Sequence, residues 1–377
     1  MVLALIAVVI FFYVATSGKI LFPQNINNLI SQNAYVFVLA AGMLLCILTG
    51  GNIDLAVGSV VCFVGGIGAV MMDRNINEWL AVIVMLIGGL LVGAWQGFWI
   101  AYIKVPPFIA TLAGMYAFRG LANKVLQGFA VGVRNETFLN VFGGGADCFI
   151  PDFFHGKDIN ITCIAVGVAV VIIYVAVTLK NRVSAKSKGY EVAPLAQELA
   201  KMVVISAVVL WIFYKLANYK GIPVALIWIA LVLLAYQYIT TKTTMGRYLY
   251  AVGGNEKATR LSGIDSRKVY FFAYVNMGLM AGLAGILTIA RAAGAQPTFG
   301  QLYEMDAIAA CFIGGASAYG GEGNVFGVII GAMLMGVINM GLSIVGGDFG
   351  SANFVKIIKG LVVLAAIIFD VLSKKKK

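Results

Sequence analysis

The stretch WLAVIVMLIGGLLVGAWQGFWIAY occupies residues 79–102 and contains no Asp, Glu, Lys or Arg. A helix needs roughly 20 apolar residues to cross the hydrocarbon core of a bilayer, so this run is long enough to span one. Similar runs fall at 1–17, 30–49, 55–72, 107–128, 159–179, 202–219, 222–240, 269–291, 306–318, 325–346 and 354–372. Of the 377 residues, 61% are apolar and only 11% are charged. A soluble domain carries roughly 25% charged residues and could not cover its core with so few. The 45 glycines suit closely packed membrane helices. The expected fold is an all-α, polytopic transmembrane bundle of about 12 spans, or 11 if 306–318 is re-entrant. The 306–318 run is too short to cross alone, and 1–17 is short for a span and lacks the basic segment of a signal peptide.

Charge orients the bundle. Segment 180–201 sets Lys180, Arg182, Lys186, Lys188 and Lys201 against Glu191 and Glu198. Segment 241–268 sets six basic residues against Glu256 and Asp265, and Lys374–Lys377 end the chain. Together these segments account for the whole net charge of +11. Twelve spans put all three on one side, which the positive-inside rule makes the cytoplasm. The opposite loop, 129–158, is net acidic: Arg134 and Lys157 face Glu136, Asp147, Asp152 and Asp158. Both termini are therefore expected in the cytoplasm of a multi-pass inner-membrane protein. The positive charge reads as membrane orientation, and no nucleic-acid partner is expected.

Enzyme chemistry finds few materials. The only histidine, His155, lies in a polar loop, and Cys46, Cys62, Cys148, Cys163 and Cys311 form no CxxC pair. No GxxxxGK[ST] phosphate loop occurs, so the chain is not expected to hydrolyse ATP itself.

Three motifs carry more. Gly50-Gly51-Asn52-Ile53-Asp54-Leu55-Ala56-Val57-Gly58-Ser59 interrupts two apolar runs. Asp54 stands where a helix N-cap belongs, able to accept the Ala56 and Val57 N–H groups; the alternative role is a helix break lining a translocation path. The segment 314–324, with Gly314, Gly315 and Gly321, is a second break, and it ends in a candidate cap, Asn324. The Gly327/Gly331 ladder after it reads as helix packing. One break in each half hints at two related halves. The third motif runs over 243–264 in the basic loop. Asn255 can cap a helix, Glu256 suits its first turn, Glu256 and Arg260 are spaced i,i+4, and Gly263 can end it. Such a two-turn helix is marginal alone and should dock, either on its own membrane domain or on a cytoplasmic partner. Within the spans, Arg119 and Lys124 read as snorkelling residues, and Asn276 and Asn339 as bonds between helices, with a conduit role as the alternative.

The 243–264 loop closely resembles the coupling segment of monosaccharide permeases in bacterial ATP-driven importers, of the ribose, xylose and galactose type. The 50–59 segment resembles that family's GGxDLSxGS motif, with Ala56 in place of the usual Ser. The PFIATL stretch at 107–112, followed by Arg119-Gly120-Leu121-Ala122, is similar to its PxFIxTL region. Residues 313–323 resemble its IGGxSxxGGxG segment, and Lys359-Gly360-Leu361 its final helix. The resemblance implies a fold like the cobalamin and branched-chain permeases and a homodimer. It also implies cytoplasmic ATP-binding subunits that hold ATP and Mg, with no cofactor in this chain, and an extracytoplasmic sugar-binding protein. Its coupling helix would comprise Gly253, Gly254, Asn255, Glu256, Lys257, Ala258, Arg260, Leu261, Ser262 and Gly263. Gly51, Asn52, Asp54, Thr111, Asn276, Gly314, Gly315, Gly321, Asn324 and Asn339 would line the path or form its breaks. Residues 180–221 look like an insertion relative to the ribose type, adding the spans 202–219 and 222–240. That turns the expected sugar toward xylose, glucose, galactose or arabinose. Branched-chain amino-acid permeases are related but usually lack this acid, so Asp54 counts against them. The rival reading is an ion-coupled secondary transporter using Asp54 and Asp306; an intramembrane enzyme lacks a nucleophile–base pair.

Overall fold

The computed structural model describes residues 1–145, 148–156, 159–190, 194–347 and 351–375, with the side chains of 352 and 369–375 excepted. Of the charges that set the orientation, Asp147, Lys157, Asp158, Glu191, Lys376 and Lys377 lie outside the described residues.

Each of the twelve apolar runs holds a helix. In chain order the helices are α1 (Val2–Ala15), α2 (Pro23–Gln32), α3 (Ala34–Leu48), α4 (Val57–Asp73), α5 (Glu78–Ala101), α6 (Pro107–Leu126), α7 (Glu136–Phe142), α8 (Ile161–Ser187), α9 (Leu195–Ala217), α10 (Val224–Lys242), α11 (Thr244–Gly254), α12 (Glu256–Leu261), α13 (Ser266–Arg291), α14 (Tyr303–Ile313), α15 (Val325–Val345) and α16 (Ala352–Lys375). Among the described residues, six are long and apolar enough to cross a membrane outright: α5, α8, α9, α10, α13 and α15. The pair α2 and α3, broken at Asn33, makes a seventh if it is one span. The 11-residue α14 is about 16 Å long and cannot cross alone, as its apolar run implied. The chain is a multi-pass helical membrane protein.

The chain divides into two compact units, one of Met1–Ile20, Leu29–Cys148 and Val224–Lys377, the other of Leu21–Asn28 and Phe149–Pro223. The span pair 202–219 and 222–240, expected to enter together, falls one to each unit.

In the first unit α3 is buried along almost its whole length, and α13 packs on α5, α3 and α4. The α5–α13 contact is a seam of small residues. A Cβ on Gly89 would lie 2.4 Å from the Gly278 carbonyl oxygen, and one on Gly93 2.5 Å from that of Tyr274. Only glycine lets the two backbones approach this closely, and in lipid such packing replaces hydrophobic burial as the driving force. The 79–102 run thus supplies both a span and the face that holds the unit's central helix. The ladder expected to pack does so: a Cβ at Gly331 would lie 1.9 Å from the Ala310 carbonyl oxygen of α14, and one at Gly327 1.9 Å from that of Gly314 just after it. A two-residue ladder, Val131 opposite Ala295 and Gly132 opposite Gly294, ties down the chain after α13.

In the second unit α8 and α9 form a hairpin, tied by an ion pair between Arg182 and Glu198. Many of their apolar side chains, Ile172, Ile173, Val203 and Val208 among them, are exposed, as a lipid-facing surface requires. The loop before α8 is organised by Asp152. Its carboxylate accepts the N–H groups of Phe154, Gly156, Ile161 and Thr162 and the Thr162 hydroxyl, at 2.8–3.1 Å. Desolvation pushes this carboxyl up, but the hydrogen bonds, led by Gly156 N–H, outweigh it and hold it well below the usual range. A depressed carboxyl stabilises above the unfolded-state value near 3.9 and loses that contribution as pH falls through the folded-state value. We expect amide exchange at Phe154, Gly156 and Thr162 to be protected at neutral pH and to lose protection only in strong acid. Asp152→Ala should remove that protection at every pH. Unchanged exchange in the variant would show that the carboxylate does not organise the loop.

Candidate coupling and translocation site

The three glycine-rich motifs, at 50–59, 243–264 and 314–324 along the chain, meet in the first unit. Gly50 and Gly51 follow α3 with φ of 116° and 74°. A Cβ on Gly51 would stand 1.9 Å from the Ala318 carbonyl oxygen, and one on Gly320 2.3 Å from the Gly50 Cα. The Gly321 N–H donates to the Leu48 carbonyl at 3.0 Å. Gly253 reaches the same place: its Cβ would lie 1.8 Å from the Leu48 oxygen and 2.4 Å from the Gly321 nitrogen. Tyr250 O–H donates to the Gly323 carbonyl at 2.8 Å, and partial burial pushes that phenol up, so it stays a donor. The two helix breaks therefore touch one another and the end of α11.

The coupling segment is two helices where one was expected. Gly253 and Gly254 close α11 and do not belong to the short helix α12. Asn255 caps α12, its Oδ1 accepting the Ala258 N–H at 3.0 Å, and Gly263 with φ 84° follows its end. The Glu256–Arg260 pair stands at 4.0 Å and is exposed, a geometry worth little. Glu256 instead accepts the hydroxyls of Ser266 at 2.9 Å and Tyr270 at 3.2 Å, both on α13. A carboxylate accepting two hydroxyls from a spanning helix mechanically joins α12 to that helix. Lys257, Ala258 and Ser262 lie along α12 and its end, and Leu261 is 90% exposed at its tip. Beneath α12 a cavity of about 360 Å³ is lined by Asn52, Lys104, Glu256, Arg260, Arg267 and Tyr270 among others. Asn52, from the first break, thus shares a cavity with the coupling helix.

The remaining site residues are dispersed. Asp54 accepts the Ala56 N–H at 2.8 Å, but α4 begins at Val57 with Ala56 as its N-cap; Asp54 makes the turn before the helix and does not cap it. Asn324 caps α15 through Gly327 N–H at 2.7 Å. Gly314 packs against Gly327, and Gly315 has φ 84°. Thr111, fully buried, bonds back to the Pro107 carbonyl of its own helix. Asn276 does likewise with Phe272 at 2.9 Å; it was expected to bridge helices and does not, because the carbonyl one turn back lies within its reach. Asn339 does bridge, donating to Asn33 Oδ1 at 3.2 Å where α2 and α3 part. Arg119 is engaged within the protein. Its guanidinium donates to the Pro297 and Phe299 carbonyls at 3.1 and 2.6 Å, tying the loop after α13 to α6. Lys124 is exposed.

Sequence reasoning missed a buried cluster. Asp306, fully buried, receives Lys359 Nζ at 2.8 Å and the Tyr35 hydroxyl at 2.6 Å on the same oxygen. The signal was present: Asp306 is the only charge in its apolar run, Lys359 lies in another, and intramembrane charges need partners. As an ion site, Asp306 is already neutralised from within the protein.

Residues 25–367 match the family described as branched-chain amino acid transport system / permease component. The chain belongs to this permease family. The permease is 33% identical to the xylose transport system permease protein XylH of Escherichia coli strain K12, over 100% of this chain and 92% of that relative. It is 35% identical to the protein of the same name from Haemophilus influenzae, over 100% and 96%. It is 31% identical to the ribose import permease protein RbsC of Escherichia coli strain K12, over 92% and 85%. No solved structure matches the permease significantly.

Proposed function

We propose that this permease is the membrane-spanning subunit of an ATP-driven monosaccharide importer of the cytoplasmic membrane. Its sugar is of the xylose, glucose, galactose or arabinose class. It works as a homodimer with cytoplasmic ATP-binding subunits, which carry ATP and Mg, and with an extracytoplasmic sugar-binding protein. The relatives named for xylose align over the whole chain, and the one named for ribose over 92% of it, which favours the xylose type. The observation that carries the coupling role is the junction of α11 and α12 with both helix breaks. ATP-driven closure of the partner subunits would push α12; Glu256 would pass the push to α13, and Gly253 would pass it to Leu48 and Gly321. Both breaks would then shift together, turning access from one side of the membrane to the other.

Leu261 offers the test, because a large apolar side chain left 90% exposed on a capped two-turn helix suits burial in a partner. Leu261→Glu should leave the amount of inserted permease unchanged, abolish co-purification of the ATP-binding subunits, and reduce uptake of labelled D-xylose or its cognate sugar to background. Deletion of 255–262 should do the same. Uptake that survives either change would remove the coupling role. Uptake by wild-type permease with no ATPase associated would favour ion-coupled transport.

A further inference from the structure

A second cavity, of about 210 Å³, lies where the C-terminal end of α13 meets the break between α2 and α3, and no motif or comparison assigns it. Its lining includes Tyr35, Tyr303, Thr288, Arg291, Gln32 and Phe299. The 26 residues of α13 span about 39 Å, so this cavity sits a membrane thickness from the coupling segment at the other end of the same helix. On the proposed orientation it faces the side from which sugar arrives.

Its chemistry is selective. Tyr35 and Tyr303 stack with centroids 3.6 Å apart and planes 14° from parallel. Tyr35 cannot swing freely, since its hydroxyl is held by Asp306 and through it by Lys359. The aromatic platform is therefore fixed before any ligand arrives. Thr288 Oγ1 is buried with the Tyr303 hydroxyl beside it but poorly aligned to pair, so a ligand hydroxyl between them would supply a better partner. Arg291 is exposed and has no ion-pair partner among the described residues, and Gln32 adds an exposed amide. An aromatic face beside scattered neutral donors and acceptors suits a ring with one C–H face and a hydroxyl edge. No carboxylate lines the cavity to hold a cation, and a single guanidinium is a sparse site for a phosphate, which is commonly held by several donors.

The geometry points to a receiving subsite for a neutral monosaccharide, stacked on the outer face of the Tyr35–Tyr303 pair and hydrogen-bonded by Thr288, Arg291 and Gln32. It rests on the reading of the chain as a sugar permease and goes further by placing a sugar contact within the membrane subunit. The test is saturation-transfer NMR on the full chain in lipid nanodiscs, with D-xylose, D-glucose, D-galactose and L-arabinose at millimolar concentration, each with and without inorganic phosphate. At least one sugar should show transfer that phosphate does not displace. Thr288→Val, which keeps the side-chain shape, and Tyr303→Ala should each reduce it at least about fivefold. Tyr303→Phe should retain it, and serves where the alanine variant does not fold. No transfer from any of the four sugars, equal transfer in Thr288→Val, or displacement by phosphate would overturn the subsite. Uptake with the partner subunits separates the two readings. Wild-type import that Thr288→Val leaves unchanged refutes the subsite alone, whereas failure of wild type to import any of the four sugars with its partners refutes the transport reading.

Discussion

Gly253→Ala will reduce coupled uptake at least about tenfold, which corresponds to about 1.4 kcal/mol in the rate-limiting barrier, while Gly254→Ala beside it will leave uptake within about twofold of wild type. Helix propensity cannot distinguish these positions: both lie in the last turn of α11, and alanine is the better helix former at each by up to about 1 kcal/mol. Packing distinguishes them completely. The methyl at 253 would stand 1.8 Å from the Leu48 oxygen and 2.4 Å from the Gly321 nitrogen, whereas nothing lies within 4 Å of a methyl at 254. The obstructing atoms are backbone and cannot rotate away, so α11 must move off the junction. The same oxygen accepts the Gly321 N–H, so the displacement also strains a hydrogen bond between the end of α3 and the second break. Overpacking of this kind typically costs about 1–3 kcal/mol, small enough for the permease to insert and large enough to disconnect the lever. Labelled sugar uptake, normalised to the amount of inserted permease, reads the result. Equal uptake in the two variants would mean that force does not pass through the Leu48–Gly253–Gly321 contact.

That junction also marks where sequence reasoning ends. Apolar length is a strong signal, so all twelve runs hold helices. Their ends were weaker: α8 continues to Ser187 and α9 starts at Leu195, because charged residues outside the apolar core still sustain a helix. In the 243–264 segment the cap Asn255 and the stop Gly263 were legible, since both act within four residues of themselves. Helix α11 was not: Gly253 and Gly254 read as part of the coupling helix that follows, while in the fold they close α11, and Gly246 and Gly253 serve close approach to other backbone. The meeting of residues 48, 253 and 321 leaves no trace in local pattern; each glycine is explained only by an atom far away in sequence. Asn276 was misread for a related reason. A polar side chain in an apolar run must find a partner, but the sequence does not say whether that partner is lipid headgroup, neighbouring helix or its own preceding turn.

Lys359→Met or Asp306→Leu alone should destabilise the permease by about 3–5 kcal/mol, the usual cost of leaving one member of a buried ion pair uncompensated. The pair is well made: Lys359 Nζ lies 2.8 Å from Asp306 Oδ2, which also accepts Tyr35. Yet Asp306 Oδ1 is buried without a hydrogen-bond partner among the described residues, so the carboxylate is only partly repaid for its desolvation. The double variant Asp306→Leu/Lys359→Met removes both charges and should recover most of the loss, to within about 1–2 kcal/mol of wild type, since apolar replacement of a buried pair is often close to neutral. Unfolding in detergent, followed for the four proteins under one condition, gives the coupling. Additive losses would mean that the two charges do not stabilise one another. Uptake by the double variant then decides what the pair is for. Asp306 opens α14, which runs into the break at Gly314, and Lys359 fixes it to α16. If the pair only holds α14 in place, the double variant transports sugar, with the sugar contact weakened to the extent that Tyr35 is released. If Asp306 instead carries an ion or a proton through the membrane, as the secondary-transport alternative requires, restoring stability cannot restore transport.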